Sequence, residues 1–215
     1  VSRLGAAQSL WRRLPLPLRR LAAPLLSGLT QAYVRARRAP GADAARGPIK
    51  VVGLFSDSSG IGASARLCVR AFEAMGVPVE TVAVRADGLD LSAALATATP
   101  ATWIFHLNPA EMIAALASLG PDKVVGPRYG FWAWELPKAP ARWLADAALV
   151  DEVWAPSRYT AQALAGAKAP VRVVPHPLFA EDYAGVDPAP RQAAFQAVCL
   201  FDFKSSMARK NPMGA

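Results

Sequence analysis

From Ile49 onward, short apolar runs alternate with helix-like stretches, and this alternation constrains the fold more than any other feature of the chain. The apolar runs fall at 49–55, 77–84, 102–107, 123–127, 152–155 and 171–174, with helical spacing over 63–75, 109–119, 139–149 and 157–167. Strands apolar on both faces must be covered on both sides, and strict alternation with helices makes them neighbours in a parallel sheet. Gly76 suits the position just past the first of these helices, where a left-handed backbone is wanted, and Ser157 after Pro156 suits an N-cap.

The predicted fold class is therefore α/β, a Rossmann-like three-layer sandwich with a parallel sheet. At 215 residues and 53% hydrophobic content, the chain has enough apolar matter for one sizeable domain and part of another. The expected organisation is a basic, Pro/Arg-rich arm and linker over 1–48, the sandwich over 49–178, and a hinge rich in proline and acids over 179–193. The segment 194–215 then reads as the first strand and loop of a second, incomplete domain, so the whole reads as a fragment of a longer protein.

Charge is segregated. The net charge of +8 is matched by residues 1–46, which carry nine arginines and one acid, Asp43; the remainder balances. The folded part thus has no bulk reason to attract polyanions, and no nucleic-acid partner is expected. The arm reads as an Arg-rich disordered leader or linker, as a basic amphipathic segment on an anionic membrane face, or as a targeting segment. Pro15, Pro17 and Pro24 are expected to break any helix there. Cys68 and Cys199 lack metal or disulfide spacing, and no apolar run is long enough to span a bilayer. The expectation is a cytoplasmic protein, with the inner face of the membrane as its possible station.

Several residues fall where open α/β sheets collect ligands, at the carboxyl ends of strands. The loop SDSSGIGASAR, with Gly60 and Gly62, opens the first helix and has the position of an anion or ligand site, or of a plain tight turn. Gly60, Gly62 and Ala65 satisfy a loose dinucleotide pattern with Glu80 downstream. The glycines lie too far past the strand, however, and Glu80 too early in the next one. His106 and Asn108 end the strand WIFHLN, where His106 is either a cleft histidine or a satisfied structural one. Trp132, Trp134 and Glu135, in RYGFWAWELP, offer apolar walls beside a carboxylate. That carboxylate is placed to orient a hydroxyl, act as a base or cap the next helix, while Trp143 and Trp154 are expected to pack behind. His176, between two prolines, stands at the cleft mouth or belongs to the hinge. Ser56, Ser58, Ser59 and Ser64 lack a nucleophile elbow, and no Walker lysine, HExxH or EF-hand loop is present.

In sequence order, IKVVGLFSDSSGIGASAR, WIFHLNP, RYGFWAWELPKAPARW, VDEVWAPSRYTAQAL, VRVVPHPL and CLFDFKSSMARKNPMGA resemble the N-terminal half of GT-B glycosyltransferases of the family 4, group 1 type. The resemblance implies a nucleotide-sugar co-substrate held between two Rossmann-like domains, a glycan or lipid-linked acceptor held mainly by the first, retention of configuration and no metal or other cofactor. By position, it implies that Gly60 and Gly62 face the donor phosphates or acceptor, that His106 contacts the transferred sugar, and that Lys210, with Arg209 beside it, binds the donor phosphates. A cation there suits the charge that builds on a departing nucleoside diphosphate. The sequence departs from the family pattern at Phe203, where an arginine often ends the strand, and at His176-Pro177, in place of the usual Asn-Gly. The paired glutamates of the donor site would lie beyond Ala215, so residues 1–215 alone are expected to show little or no transfer. The alternatives are a non-catalytic glycan- or protein-binding module and, more remotely, a dinucleotide-dependent oxidoreductase.

Overall fold

The computed structural model describes residues 14–39, 47–85 and 94–185. The chain divides after Pro177 into two compact units. In the first, a parallel sheet of six strands is built from β1 (Ile49–Gly53), β2 (Val79–Ala83), β4 (Thr102–His106), β6 (Arg128–Phe131), β7 (Glu152–Ala155) and β8 (Val171–Val173). A two-stranded parallel ribbon pairs β3 (Thr99–Pro100) with β5 (Val124–Val125). The helices are α1 (Leu16–Ala36), α2 (Gly60–Ala74), α3 (Pro109–Leu119), α4 (Ala141–Asp146), which runs on as a 3-10 turn over Ala147–Leu149, and α5 (Arg158–Ala163). This is the α/β three-layer arrangement expected from the alternation.

Strand order is β2-β1-β4-β6-β7-β8. The chain leaves β1 toward one edge and then returns to build the rest on its other side. Between β1 and β4 the order reverses, and their carboxyl ends frame the crevice where such sheets place ligands. The register sets Gly53 opposite His106 at that point. One apolar core cluster joins Val52 of β1, Trp103 and Phe105 of β4, Met112, Leu116 and Leu119 of α3, and Val153 of β7, all fully buried. Residues of α3 recur at three- and four-residue steps on this buried face, as an amphipathic helix on a sheet requires.

Local signals placed the elements well. Gly76 adopts φ +68° just after α2, and Ser157 Oγ accepts the Thr160 N–H at the start of α5. Three readings need correction. The stretch 123–127 is not a strand of the main sheet: Val124–Val125 joins the small ribbon, and Arg128–Phe131 is the sheet strand. The main chain breaks at Gly126, φ +110°, and at Pro127, which has no N–H to give a ladder. Prolines do not break the arm either. Pro15 is the N-cap and Pro17 falls in the first turn, where a missing N–H costs nothing, while Pro24 is accommodated inside the helix. Nor is residue 27–39 a loose leader. Val34 is fully buried, Gln31 and Arg35 reach Asp146, Arg37 pairs with Asp122 and Arg38 with Asp151. Part of the arm's charge is thus matched by acids of the domain.

Of the second unit, residues 178–185 are described, and they contain a 3-10 turn over Ala180–Tyr183. The expected strand at 194–203, together with Arg209 and Lys210, lies outside the described residues. Among the described residues, no helix is long and apolar enough to cross a membrane.

Candidate functional site

At the crevice, one hydroxyl joins two imidazoles. Ser64 Oγ, in the second turn of α2, lies 3.1 Å from His106 Nδ1 at the end of β4 and 3.1 Å from His176 Nδ1 beyond β8. Phe131, the last residue of β6, stacks on His106 at 4.3 Å between ring centroids and 15° between planes, and meets His176 at 5.2 Å and 42°. Four elements thereby converge: α2 brings the hydroxyl, β4 and the segment after β8 bring the rings, and β6 supplies the aromatic plate that sets their pitch.

The cluster is uncharged at neutral pH. Burial, with His176 as a smaller influence, drives His106 down to about 3, and burial also lowers His176. His106 is 3% exposed, whereas His176 is exposed to solvent. A hydroxyl carries one proton and a neutral imidazole carries one N–H. Since Ser64 can donate to only one ring, at least one of the two must donate through Nδ1 and so presents a bare Nε2. That nitrogen is a hydrogen-bond acceptor and a weak base. Among the described residues, no carboxylate hydrogen-bonds either ring, so the cluster lacks the third member of a nucleophilic triad.

The glycine loop is pinned from within. Ser59 Oγ accepts the Gly62 N–H at 3.3 Å, and the Asp57 carboxylate accepts the Ser59 N–H at 2.6 Å. Arg66 Nη1 donates to the carbonyls of Phe55 and Asp57, each at 2.8 Å. Gly62 has to be glycine, because a Cβ there would come within 2.5 Å of the Asp57 carbonyl and 2.6 Å of the Leu54 carbonyl. Gly60 faces open space. A phosphate approaching this helix start meets the Asp57 carboxylate as well as the α2 amides, so the two attractions of a helix N-terminus are partly offset. Glu80, the would-be ribose contact of a dinucleotide site, pairs instead with Lys50 across β1 and β2.

The remaining sequence candidates separate into supports and cleft. Asn108 Oδ1 accepts the Ala133 N–H at 3.0 Å, tying the start of α3 to the loop after β6. Trp132 is fully buried and packs edge-on to Trp143 at 6.2 Å, so it belongs to the core and is no cleft wall. Its ring lies over Gly130, where a Cβ would stand 2.6 Å from Nε1. Trp134 also packs edge-on to Trp143, at 4.8 Å, and donates its Nε1–H to the Lys138 carbonyl. Glu135 is exposed on the same loop. Tyr129 lies within β6 and meets Trp154 at a tilt, 4.9 Å between ring centroids, so the carboxyl-edge loop starts after Phe131.

Sequence reasoning thus singled out both histidines but missed Ser64 and Phe131, which bring them together. Ser64 was passed over because it lacks an elbow motif. Its signal was its place among small residues at the start of α2, where Gly62, Ser64 and Ala65 are all buried. Among the described residues, no group of three or more His, Cys, Asp or Glu is gathered to hold a metal. A scan against protein-family models, a search of curated proteins and a search of solved structures found no match to this chain.

Proposed function

We propose that this chain supplies the acceptor-side domain of a glycosyltransferase, one that moves a sugar from a nucleotide-sugar donor to a glycan, glycolipid or polysaccharide acceptor. The observation that carries the reading is the Ser64–His106–His176 cluster beside the strand-order reversal. Sugar hydroxyls are neutral donors and acceptors, and they are best met by neutral polar groups held at fixed angles over apolar surface. A bare imidazole Nε2 accepts from a hydroxyl, and an Nε2–H on the other ring gives to one. His106 and His176 would touch the sugar, whereas Ser64 and Phe131 position them. Arg209 and Lys210 would meet the donor phosphates, and the retaining, metal-independent outcome follows the sequence resemblance.

The test has two arms. Imidazole nitrogen resonances of the chain are followed by NMR while acceptor glycans and nucleotide sugars are added, with shifts of His176 expected. In a longer protein that carries this chain and turns over donor, Ser64→Ala and His106→Ala should each lower kcat/KM by about tenfold or more. Unchanged turnover in both variants would overturn the assignment. The absence of a carboxylate behind the rings also suits a glycan-binding module, and ligand shifts without turnover by any longer form would favour that reading.

A further inference from the structure

Helix α1 turns polar side chains, along with Val34, toward the domain: Ser27 Oγ accepts from Arg142, Gln31 donates to Asp146 at 3.0 Å and Arg35 reaches the same carboxylate at 3.3 Å, while Arg38, just past the helix, pairs with Asp151 at 2.6 Å. Its apolar side faces out, with Leu25 72% and Leu29 67% exposed and Leu18, Leu26 and Tyr33 also exposed. At about 100° per residue, these five positions fall within an arc of roughly 100° on one side of the helix. Gln31 and Ser27 lie on the opposite side. Water-facing helices of globular proteins carry the reverse pattern, so this leucine face is built for a medium other than water.

Charge identifies that medium. The first 42 residues contain eight arginines and no acid. Arg35, Arg37 and Arg38 are matched by Asp146, Asp122 and Asp151. Arg3, Arg12, Arg13, Arg19 and Arg20 precede the leucine face or lie in its first turns, in a stretch with no acid of its own. Leucines flanked by acid-free arginine sequence fit an anionic lipid surface, where the apolar side sinks to the acyl boundary and the cations meet the headgroups. The helix does not reach the apolarity required to cross a bilayer. We propose that α1 lies flat on an anionic membrane surface, leucine face down, and holds the domain there. This inference is independent of sugar transfer, because it uses no residue of the crevice.

The test is co-sedimentation of the full chain with phosphatidylcholine vesicles, with and without about one third phosphatidylglycerol. Binding to the anionic vesicles, weak binding to the neutral ones and release by salt are expected. Leu25→Glu with Leu29→Glu should lower the partition about tenfold or more, and Leu25→Gln with Leu29→Gln should lower it less. Both side chains are exposed, so unchanged melting temperatures would show that the domain still folds. Equal binding by wild type and both variants, or no preference for the anionic vesicles, would overturn the proposal. A dimer seen by light scattering without lipid and lost in the same variants would assign the face to a second copy and overturn it as well.

Discussion

The two ends of the sheet use opposite polar chemistry. At the amino end, charges hold the structure together: Arg128 is buried at the start of β6, its Nη2 donates to the carbonyls of Pro121 and Val124 at 2.9 and 2.6 Å, and Asp151 accepts the Arg128 backbone N–H at 2.8 Å. Arg37 and Arg38 fasten α1 onto the same end through Asp122 and Asp151. At the carboxyl end, the clustered groups are neutral: the buried Ser64 hydroxyl and His106 imidazole, the exposed His176 imidazole and the half-buried Asn108 amide. Charge thus fastens elements together at the amino end and is absent from the Ser64–His106–His176 cluster at the carboxyl end. Burial shows the same division, bringing Arg128 only down to about 10, so that it stays charged, while taking His106 to about 3, so that it stays neutral.

The contrast breaks if either end can be altered without the expected cost. The largest effect is expected from Arg128→Ala, which strands two buried carbonyls and leaves a cavity; it should cost about 3 kcal/mol in urea denaturation. A loss near zero would mean that the amino end does not depend on charge.

The carboxyl end should announce itself in acid. Since the folded pKa of His106 is depressed below its unfolded value, its contribution is complete above about pH 6.5. It is lost as pH falls toward about 3. The slope is about 1.4 kcal/mol per pH unit, or about 2 kcal/mol by pH 5. Denaturation curves of wild type and His106→Gln at pH 7.5 and 5 should converge in acid, and parallel curves would count against a buried neutral ring.

Within the glycine loop, Gly62→Ala should cost about 1.5 kcal/mol because its Cβ meets backbone that must shift. Gly60→Ala, facing open space, should change stability by less than about 0.5 kcal/mol. A ligand-binding defect in Gly60→Ala would therefore report contact rather than damage. A similarly small change belongs to the exposed Arg37–Asp122 pair, where Arg37→Ala should cost about 0.5 kcal/mol and vanish in high salt.

The layer order was readable because period and burial agree: apolar runs such as VVGLF and WIFHL admit one environment, and Gly76 and Ser157 mark the end of one helix and the start of another. Strand β6 was less readable. Its sequence RYGF places an arginine and a glycine in a central strand, and both have tertiary reasons: Arg128 answers the carbonyls of Pro121, in the turn after α3, and of Val124, in β5, and Gly130 makes room for the Trp132 indole. Helix α1 was misjudged because its prolines were weighed for what they break, without regard to their position in the first turns or to the docking that holds the helix's second half. Half of the site was legible, since strand ends expose His106 by position alone. Ser64 and Phe131 were hidden because their role depends on how three elements come together, which no local pattern records.

The brace from Asn108 Oδ1 to the Ala133 N–H, together with the Thr160 hydroxyl that donates to the Trp134 carbonyl at 3.1 Å, fixes the loop after β6 at two points. Its ordering entropy is therefore spent during folding and not charged to binding. Ligands arriving at this edge should associate without a slow loop-closing phase, and their affinities should vary through the rate of departure.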